Sequence, residues 1–344
     1  MTDNHEPAPG RAGERDTAGL VPVPPTADEG PAQLHRLPAR SWFAAAGRTV
    51  KSFGSDDLSD WAAALTYYGI LAIFPGLLLV VTLLRLTGTG TTTAVVDNIA
   101  GMAPGAVHEI LNGAVSGLQH SRQGATGLIA IVSLAGALWS ASGYVGAFMR
   151  ASNAIYDVPE GRPIWKRLPI RVGLTILTGI LLTASAVIVV FTGRLAETVG
   201  GALGIGHTAV TIWGIAKWPV LVAIVAVLFD VLYWASPNAR HGGFRWVSPG
   251  GVLAVVIWLV VSGGFALYVT HFDSYNRTYG SIAAVIVFLV WLWISNLAVL
   301  LGAEFDAELQ RGRAIRAGHR PQDEPYVRLR SPAAPEPAPE EGRG

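Results

Sequence analysis

The sequence predicts an all-α, polytopic membrane protein with six transmembrane helices and both termini in the cytoplasm. The first indication is composition, because 51% of the 344 residues are hydrophobic and only 14% are charged. An average soluble domain has a charged share of roughly 25%. The second indication is a series of long apolar segments, and the third is an uneven distribution of lysine and arginine between the loops.

Six segments of the chain are long enough to cross a bilayer as helices, which takes about 20 predominantly apolar residues each. An even number of crossings places the two termini on the same side of the membrane. The predicted spans are residues 61–86, 126–151, 170–192, 209–234, 249–271 and 280–303.

Basic residues indicate the orientation, since short loops rich in lysine and arginine are retained in the cytoplasm. One side of the predicted topology carries Arg48, Lys51, Arg150, Arg162, Lys166, Arg167, Arg171, Arg240, Arg245, Arg311, Arg313 and Arg316. The other side carries only Arg85, Arg122, Arg194 and Arg277. The difference places both termini in the cytoplasm.

The predicted six-helix membrane domain, residues 61–309, is flanked by segments of different composition. Residues 1–40 and 310–344 are rich in proline, glycine and charge, which predicts disordered cytoplasmic tails. Residues 41–60 mix apolar side chains with Arg48 and Lys51, as an amphipathic helix at the membrane interface does. Residues 91–119 repeat apolar residues at helical spacing around Pro104, which predicts a helical cap on the outer side.

The residue types that carry most enzyme chemistry are missing or scattered. The chain has no cysteine, and its eight histidines are distributed over tails, loops and both predicted membrane faces. His108 and Glu109 begin a zinc-protease pattern, but the second histidine of H-E-x-x-H is absent. No G-x-S-x-G segment marks a hydrolase nucleophile. The sequence therefore predicts a protein that is not an enzyme, with no catalytic residues, no metal and no cofactor.

The first predicted span contains a helix breaker, in the segment LTYYGILAIFPGLLL that begins at Leu65. Pro75 has no backbone N–H, so the carbonyl oxygen of Leu71 lacks its usual helical partner. Lipid cannot supply one, and this face of the helix is therefore predicted to point towards other protein or trapped water. Two interpretations stay open: a proline kink packed against small residues, or a broken helix that lines a cavity.

Polar and aromatic side chains near this breaker are candidates for one inward-facing seam. The second span contributes small and polar residues, and the sixth contributes an asparagine within an apolar run. The seam is either functional or a packing feature. It comprises Tyr67, Tyr68, Pro75, Trp139, Ser140, Ser142, Tyr144, Asn153 and Asn296.

Asp230 is an acidic residue within the fourth predicted span. An ionised side chain in the apolar core costs roughly 2.5–3.5 kcal/mol on insertion scales, so a compensating partner is expected. The topology places Arg150, Arg171 and Glu304 near the same cytoplasmic depth. These four residues are predicted to form an intramembrane charge network, in which Asp230 has either a structural ion pair or a role in gating or substrate binding.

Several separated blocks of the sequence carry a resemblance to a known family. They are AAALTYYGILAIFPGLLL, LWSASGYVGAFMRASNAIYDV, LYWASPNARHGGFRWVSPGG and YVTHFDSYNRTYGSIAAVIVFLVWLWISNLAVLLGAEFDAEL. Together they resemble the YihY/virulence factor BrkB family of bacterial inner-membrane proteins, from about residue 42 to residue 309. The resemblance implies a six-helix, multi-pass protein of the plasma membrane that supports envelope integrity.

Members of this family were formerly mislabelled as ribonuclease BN, a tRNA-processing enzyme. A ribonuclease needs clustered carboxylates or histidines and a basic surface for phosphates. This sequence has no such cluster, and the basic residues on the cytoplasmic side are explained by topology. Ribonuclease activity is therefore the least favoured of the functional hypotheses.

The leading functional hypothesis is a protein that transports or organises a lipid-like or amphipathic molecule along the inward-facing seam. The alternative is a non-transporting membrane scaffold that binds other envelope proteins. Membrane lipids are the expected partners, while a homo-oligomer and envelope proteins are partners that the sequence leaves open. Nucleic acid is not expected, because the formal net charge is only +1.

The predicted orientation can be tested with reporters fused after Gly344. Basic residues are concentrated on the side of the membrane where the termini lie, so a reporter at the C-terminus should remain in the cytoplasm. An alkaline phosphatase fusion, which is active only outside the cytoplasm, should be inactive, and a green fluorescent protein fusion should fluoresce. The reverse pattern would contradict the topology.

Overall fold

The computed structural model describes residues 38–85, 126–190, 207–240, 248–270 and 273–332. Within these ranges the chain forms seven helices, and the all-α class predicted from the sequence is confirmed there. They are α1 (Ala39–Ser55), α2 (Leu58–Arg85), α3 (Thr126–Ile155), α4 (Ile164–Val190), α5 (His207–Ala235), α6 (Pro249–Thr270) and α7 (Asp273–Arg316). Residues 1–37 and the predicted cap near 91–119 lie outside the described residues.

Four helical segments within the described ranges are long and apolar enough to cross a membrane: Ile164–Val189, Thr211–Ala235, Pro249–Val269 and Val285–Arg316. In each of them, 28% or less of the most apolar stretch is buried inside the protein. Apolar surface exposed on this scale is expected where lipid surrounds the helices. Helices α2 and α3 coincide with the other two predicted spans. That the chain crosses the membrane six times stays a prediction.

The last helix, α7, is longer than a bilayer crossing requires. Its 44 residues extend over about 66 Å at 1.5 Å per residue, whereas the hydrocarbon layer is about 30 Å thick. The C-terminal part of α7 packs against α1. The rings of Trp42 and Phe305 lie 6.1 Å apart, and Arg48 forms an ion pair with Glu308. We call this end of the bundle the α1 end.

Helix α1 is amphipathic, and its location at the membrane interface stays a prediction. Ala45 is buried in a cluster with Phe305 and Leu309 of α7, whereas Phe43 on the opposite side is exposed. The helix ends at Ser55. Asp57 then adopts a left-handed backbone conformation with φ 49°, which turns the chain into α2. Helix α1 is therefore a separate element held by α7.

The N-terminus of α6 is capped by its own serine and by carboxylates from two neighbouring helices. The hydroxyl of Ser248 accepts a hydrogen bond from the N–H of Gly251 at 2.9 Å. Asp230 of α5 accepts from the N–H of Ser248 at 3.0 Å, and Asp306 of α7 accepts from the N–H of Gly250 at 2.7 Å. Negative charge is favourable here because the N-terminus is the positive end of the helix dipole. Asp230 thus joins α5 to α6.

Helices α6 and α7 approach closely because glycine lies on both sides of their contact. A Cβ on Gly250 would be 2.1 Å from the carbonyl oxygen of Gly302. A Cβ on Gly302 would be 2.5 Å from the carbonyl oxygen of Gly250. Since backbone atoms cannot turn aside as a flexible side chain can, only glycine fits at both positions. Small residues allow such contacts between membrane helices.

The C-terminal residues 310–332 differ from the predicted disordered tail. Helix α7 continues to Arg316, and the segment 317–332 packs on the α1 end. Tyr326 is 1% exposed and stacks on Tyr156, while Leu329 pairs with Ala239 in an isolated antiparallel bridge. The prediction of disorder relied on the average composition of the tail. It overlooked these few apolar side chains, which pack against the rest of the protein. Residues 333–344 lie outside the described part.

Gly250→Ala should destabilise the protein, because the added methyl group would collide with the backbone of α7. Overpacking of this kind typically costs about 1–3 kcal/mol. Thermal unfolding in detergent should therefore show a lower midpoint. The matched control is Gly263→Ala in the same helix, where a Cβ would have nothing within 4 Å. Equal midpoints for the two variants would contradict the close contact.

Candidate functional site

The carbonyl group left unpaired by Pro75 has a partner on the neighbouring helix. Helix α2 runs from Leu58 to Arg85, so the proline does not end it. The hydroxyl of Ser140 on α3 donates to the carbonyl oxygen of Leu71 at 3.1 Å. Ser140 therefore supplies the hydrogen bond that a backbone N–H at position 75 would otherwise make. This favours the interpretation of a packed proline, although the side chain of Pro75 itself lies outside the described ones.

A chain of hydrogen bonds joins α3, α7 and α2 inside the bundle. The hydroxyl of Tyr144 donates to Oδ1 of Asn296 at 2.9 Å, and Nδ2 of Asn296 donates to the hydroxyl of Thr66 at 3.1 Å. Thr66 donates in turn to the carbonyl oxygen of Ala62 at 2.8 Å. Asn296 and Thr66 are both buried. These polar groups satisfy one another, as buried polar groups must.

Two glycines of α3 make room for side chains from α2 and α4. Gly143 and Gly146 follow Trp139 by four and seven residues, which places all three on one face of the helix. A Cβ on Gly143 would lie 3.1 Å from the ring of Tyr68. A Cβ on Gly146 would lie 3.2 Å from Nε of Arg171. The tyrosine ring and the guanidinium group therefore lie directly against α3.

Two arginines bring positive charge to this face of α3. Nε of Arg171 donates to the carbonyl oxygen of Ser142 at 2.6 Å, and its guanidinium carbon lies 5.6 Å from the centre of the Trp139 ring. The guanidinium carbon of Arg150 lies 5.8 Å from the centre of the Tyr68 ring. Both separations are those of cation–π contacts.

The outer side of this group is open to the surroundings. Tyr67 is 60% exposed and Trp139 is 63% exposed. We define Tyr67, Tyr68, Trp139, Arg150 and Arg171 as the α2–α3–α4 surface. Among the residues that the structure describes, no carboxylate forms an ion pair with either arginine. The cost of a charged side chain in a membrane helix, roughly 2.5–3.5 kcal/mol at the centre and less towards the ends, is therefore not offset by an acidic residue in the described ranges.

The structure does not bring the predicted charge network together. Asp230 is 3% exposed and caps α6, and within the described ranges neither Arg150 nor Arg171 lies at ion-pair distance from it. Glu304 instead lies near Asp56 in the connection between α1 and α2, close enough for the two carboxyl groups to interact. The prediction matched these residues by depth in the membrane. Depth does not determine the direction in which a side chain leaves its helix, and Asp230 faces α6.

Asn153 lies away from the α2–α3–α4 surface, in the polar contacts of the α1 end. Its Oδ1 accepts from the main-chain N–H of Asn238 at 2.7 Å, and its Nδ2 donates to Glu160 at 3.0 Å. Glu160 also forms an ion pair of 2.7 Å with Arg162. Burial alone would raise the pKa of Glu160, but hydrogen bonds from Arg162 and Asn153 outweigh it and hold the pKa below its ordinary value. Glu160 is therefore ionised, and its charge is paired with that of Arg162.

Sequence reasoning missed Thr66, and it did not assign Gly143 or Gly146 to the candidate site. A single threonine in an apolar helix carries no signal, because it commonly bonds its own backbone, as Thr66 also does here. The two glycines carried a usable signal. They lie three residues apart, and Gly143 is the last residue of the polar WSASG segment, residues 139–143. Small residues at such positions often admit a neighbouring side chain or helix.

The sequence matches the family model of virulence factor BrkB over residues 49–326. This range contains α2 to α7, the α2–α3–α4 surface and the C-terminal segment up to Tyr326. The chain belongs to the virulence factor BrkB family. Membership in the BrkB family confirms the resemblance found in the sequence blocks, and the chain is a membrane protein of this family.

Curated relatives cover most of the BrkB-family chain. It is similar to the ribonuclease-like protein YfkH of Bacillus subtilis, with 29% identity over 269 residues, 77% of this chain and 93% of the relative. It is also similar to a UPF0761 membrane protein of Alteromonas mediterranea, with 27% identity over 290 residues, 81% of this chain and 92% of the relative. A UPF0761 membrane protein of Xanthomonas campestris is 28% identical over 289 residues, 81% of this chain and 64% of the relative. No solved structure matches the chain.

Ser140→Ala should destabilise the protein by about 1–3 kcal/mol, because it leaves the carbonyl oxygen of Leu71 without a partner. In a Pro75→Ala background the same substitution should cost much less, since an alanine N–H can pair with that carbonyl. Unfolding of the two single variants and the double variant in detergent measures the coupling.

The matched control for this cycle is Ser185→Ala in α4. The Ser185 hydroxyl donates to the carbonyl oxygen of Leu181 at 2.9 Å, which the N–H of residue 185 can already pair with in the helix. Its removal should therefore change stability by less than about 0.5 kcal/mol. Additive losses from Ser140→Ala and Pro75→Ala would show that the hydroxyl does not replace the missing N–H.

Proposed function

We propose that this BrkB-family protein is a multi-pass protein of the bacterial plasma membrane that moves or organises a lipid-like, amphipathic molecule, and so supports envelope integrity. The observation that carries the proposal is the α2–α3–α4 surface. It places the exposed ring of Trp139 beside the guanidinium group of Arg171. The exposed ring of Tyr67 lies against the ring of Tyr68, which contacts Arg150. A molecule with an apolar part and a polar part has a partner for each on this surface.

Some side chains of the predicted seam are hydrogen-bonded inside the protein, and others are exposed and available to bind a ligand. Tyr144 and Asn296 are hydrogen-bonded to one another and hold helices together, so they support the fold. Tyr67 and Trp139 instead expose more than half of their surface. Aromatic rings with a polar edge are favoured where apolar and polar surroundings meet, as at the edge of a bilayer. Binding is therefore assigned to the open side of α3 and not to the interior of the bundle.

The proposal contains no chemical step. The hydroxyls of Ser140 and Ser142 are engaged with backbone carbonyl oxygens, and in the described ranges no three histidine, aspartate or glutamate side chains are placed to hold a metal ion. The ribonuclease-like name of YfkH describes that relative. The assignment to a lipid-like molecule uses only side chains that bind, and requires no nucleophile or general base.

Trp139→Ala should slow the movement of a lipid between leaflets. In vesicles that contain the purified protein and a fluorescent phospholipid analogue, chemical quenching from outside measures how fast the probe exchanges. The wild-type protein should accelerate exchange over protein-free vesicles. Loss of the exposed ring should reduce that acceleration by about fivefold, because an aromatic contact contributes on the order of 1 kcal/mol.

Trp218→Ala is the control for this experiment. Trp218 is 62% exposed, as Trp139 nearly is, but it lies on α5 and outside the α2–α3–α4 surface. The control should exchange lipid at the wild-type rate. If the wild-type protein does not accelerate exchange, and if Trp139→Ala still restores resistance to envelope stress in cells that lack the protein, the non-transporting scaffold is the better account.

A further inference from the structure

We propose that the polar end of the molecule bound at the α2–α3–α4 surface is an anionic phosphate headgroup, as in an acidic glycerophospholipid. This inference rests on the proposed function and adds the chemical class of the ligand. It is carried by Arg150 near the end of α3 and by Arg167 and Arg171 near the start of α4. These arginines are close to one another and have no acidic partner in the described part of the chain.

The three arginines form a group of uncompensated positive charge. Both Arg150 and Arg167 are near enough to Arg171 to interact with it electrostatically, and like charges repel. No ion pair in the described ranges includes any of the three. The acidic residues of the nearby α3–α4 connection are already used, since Asp157 pairs with Arg311 and Glu160 pairs with Arg162. An anion from outside these ranges therefore lowers the free energy of this surface.

The guanidinium group of Arg171 is held in place by the protein. Its Nε donates to the carbonyl oxygen of Ser142, the ring of Trp139 lies beside it, and Gly146 leaves the space that it occupies. The hydrogen bond uses Nε, so the two terminal nitrogens remain free of hydrogen bonds to described residues. A fixed, planar guanidinium with free terminal N–H groups can bind two oxygens of a phosphate at once.

The apolar neighbours identify the anion as part of a lipid. Beyond the arginines, away from the α1 end, Leu71 on α2 is 43% exposed and Leu182 on α4 is 56% exposed. Arg171 and Leu182 are eleven residues apart, which places them on the same side of α4 and about 16 Å apart along it. A phosphate at Arg171 would thus lie at the polar end of an apolar surface long enough for acyl chains. Basic sites between transmembrane helices are typical binding sites of acidic lipid headgroups.

Lipid selectivity of the purified full-length protein tests the proposal. Native mass spectrometry can compare phosphatidylglycerol and phosphatidylcholine that carry identical acyl chains. The wild-type protein should prefer phosphatidylglycerol. Arg171→Gln should reduce the preference about fivefold, which is the contribution of one arginine to binding an acidic lipid. Arg167→Gln changes an exposed side chain, so it should act in the same direction without affecting the unfolding midpoint.

Arg240→Gln is the charge-matched control, because Arg240 is an exposed arginine at the same end of the bundle but outside the α2–α3–α4 surface. It should leave the preference unchanged. A preference that falls equally in Arg240→Gln and Arg171→Gln would reflect net charge alone and would overturn the proposed site.

The remaining outcomes separate this inference from the function on which it rests. If the wild-type protein binds both lipids equally, and Trp139→Ala weakens both, lipid binding stands and the anionic headgroup is overturned. If it binds neither lipid, the proposed function itself fails. Inorganic phosphate is the third probe: if it binds alone as tightly as phosphatidylglycerol and displaces it, the site accepts a free anion and the lipid assignment is wrong.

Discussion

Asn238 is fully buried, and the arrangement of the α1 end depends on its hydrogen bonds. Its main-chain N–H donates to Asn153 on α3, and its side-chain nitrogen donates to the carbonyl oxygens of Pro159 and Ser331. The α3–α4 connection, the end of α5 and the C-terminal segment therefore meet at one side chain. A buried amide is stable only where its donors and its acceptor are paired. These segments cannot separate without leaving polar groups unsatisfied.

This closed end determines which charges remain available elsewhere. Arg162 is paired with Glu160, and it also donates to the carbonyl oxygen of Ser236 at 2.7 Å, just beyond the end of α5. A cation there is favourable, because the C-terminus is the negative end of the helix dipole. Arg162 in the α3–α4 connection is therefore a structural arginine that an acidic residue and the backbone hold in place, whereas no acidic residue in the described ranges pairs with Arg171 in α4. Arg162 and Arg171 lie on the same side of the predicted topology, and only their three-dimensional contacts distinguish them.

The features that the sequence predicted well are those that depend on local chemistry. Long apolar segments form helices because backbone groups in lipid must pair within their own segment, and the need for a partner at the Leu71 carbonyl follows from Pro75 alone. Ser140, already assigned to the same seam, meets that need. Asp230 was misplaced, because its partner depends on the direction in which it leaves α5. The folded structure of residues 310–332 was not predicted. The prediction used the average composition of a tail rich in proline and charge, and did not consider Tyr326 individually.

Helix α3 explains why the predicted seam is two surfaces. Successive residues of a helix are turned by about 100°, so Gly143 and Tyr144 are neighbours in sequence but point in different directions. Tyr144 follows Ser140 by four residues, and both bond to other helices within the bundle. Trp139 and Gly143 share the other face, which Tyr68 contacts at Gly143 and Arg171 contacts at Trp139. A single helix thus separates the polar groups that hold α2, α3 and α7 together from those left to bind a ligand. A list of polar residues without their helical phase cannot make this distinction.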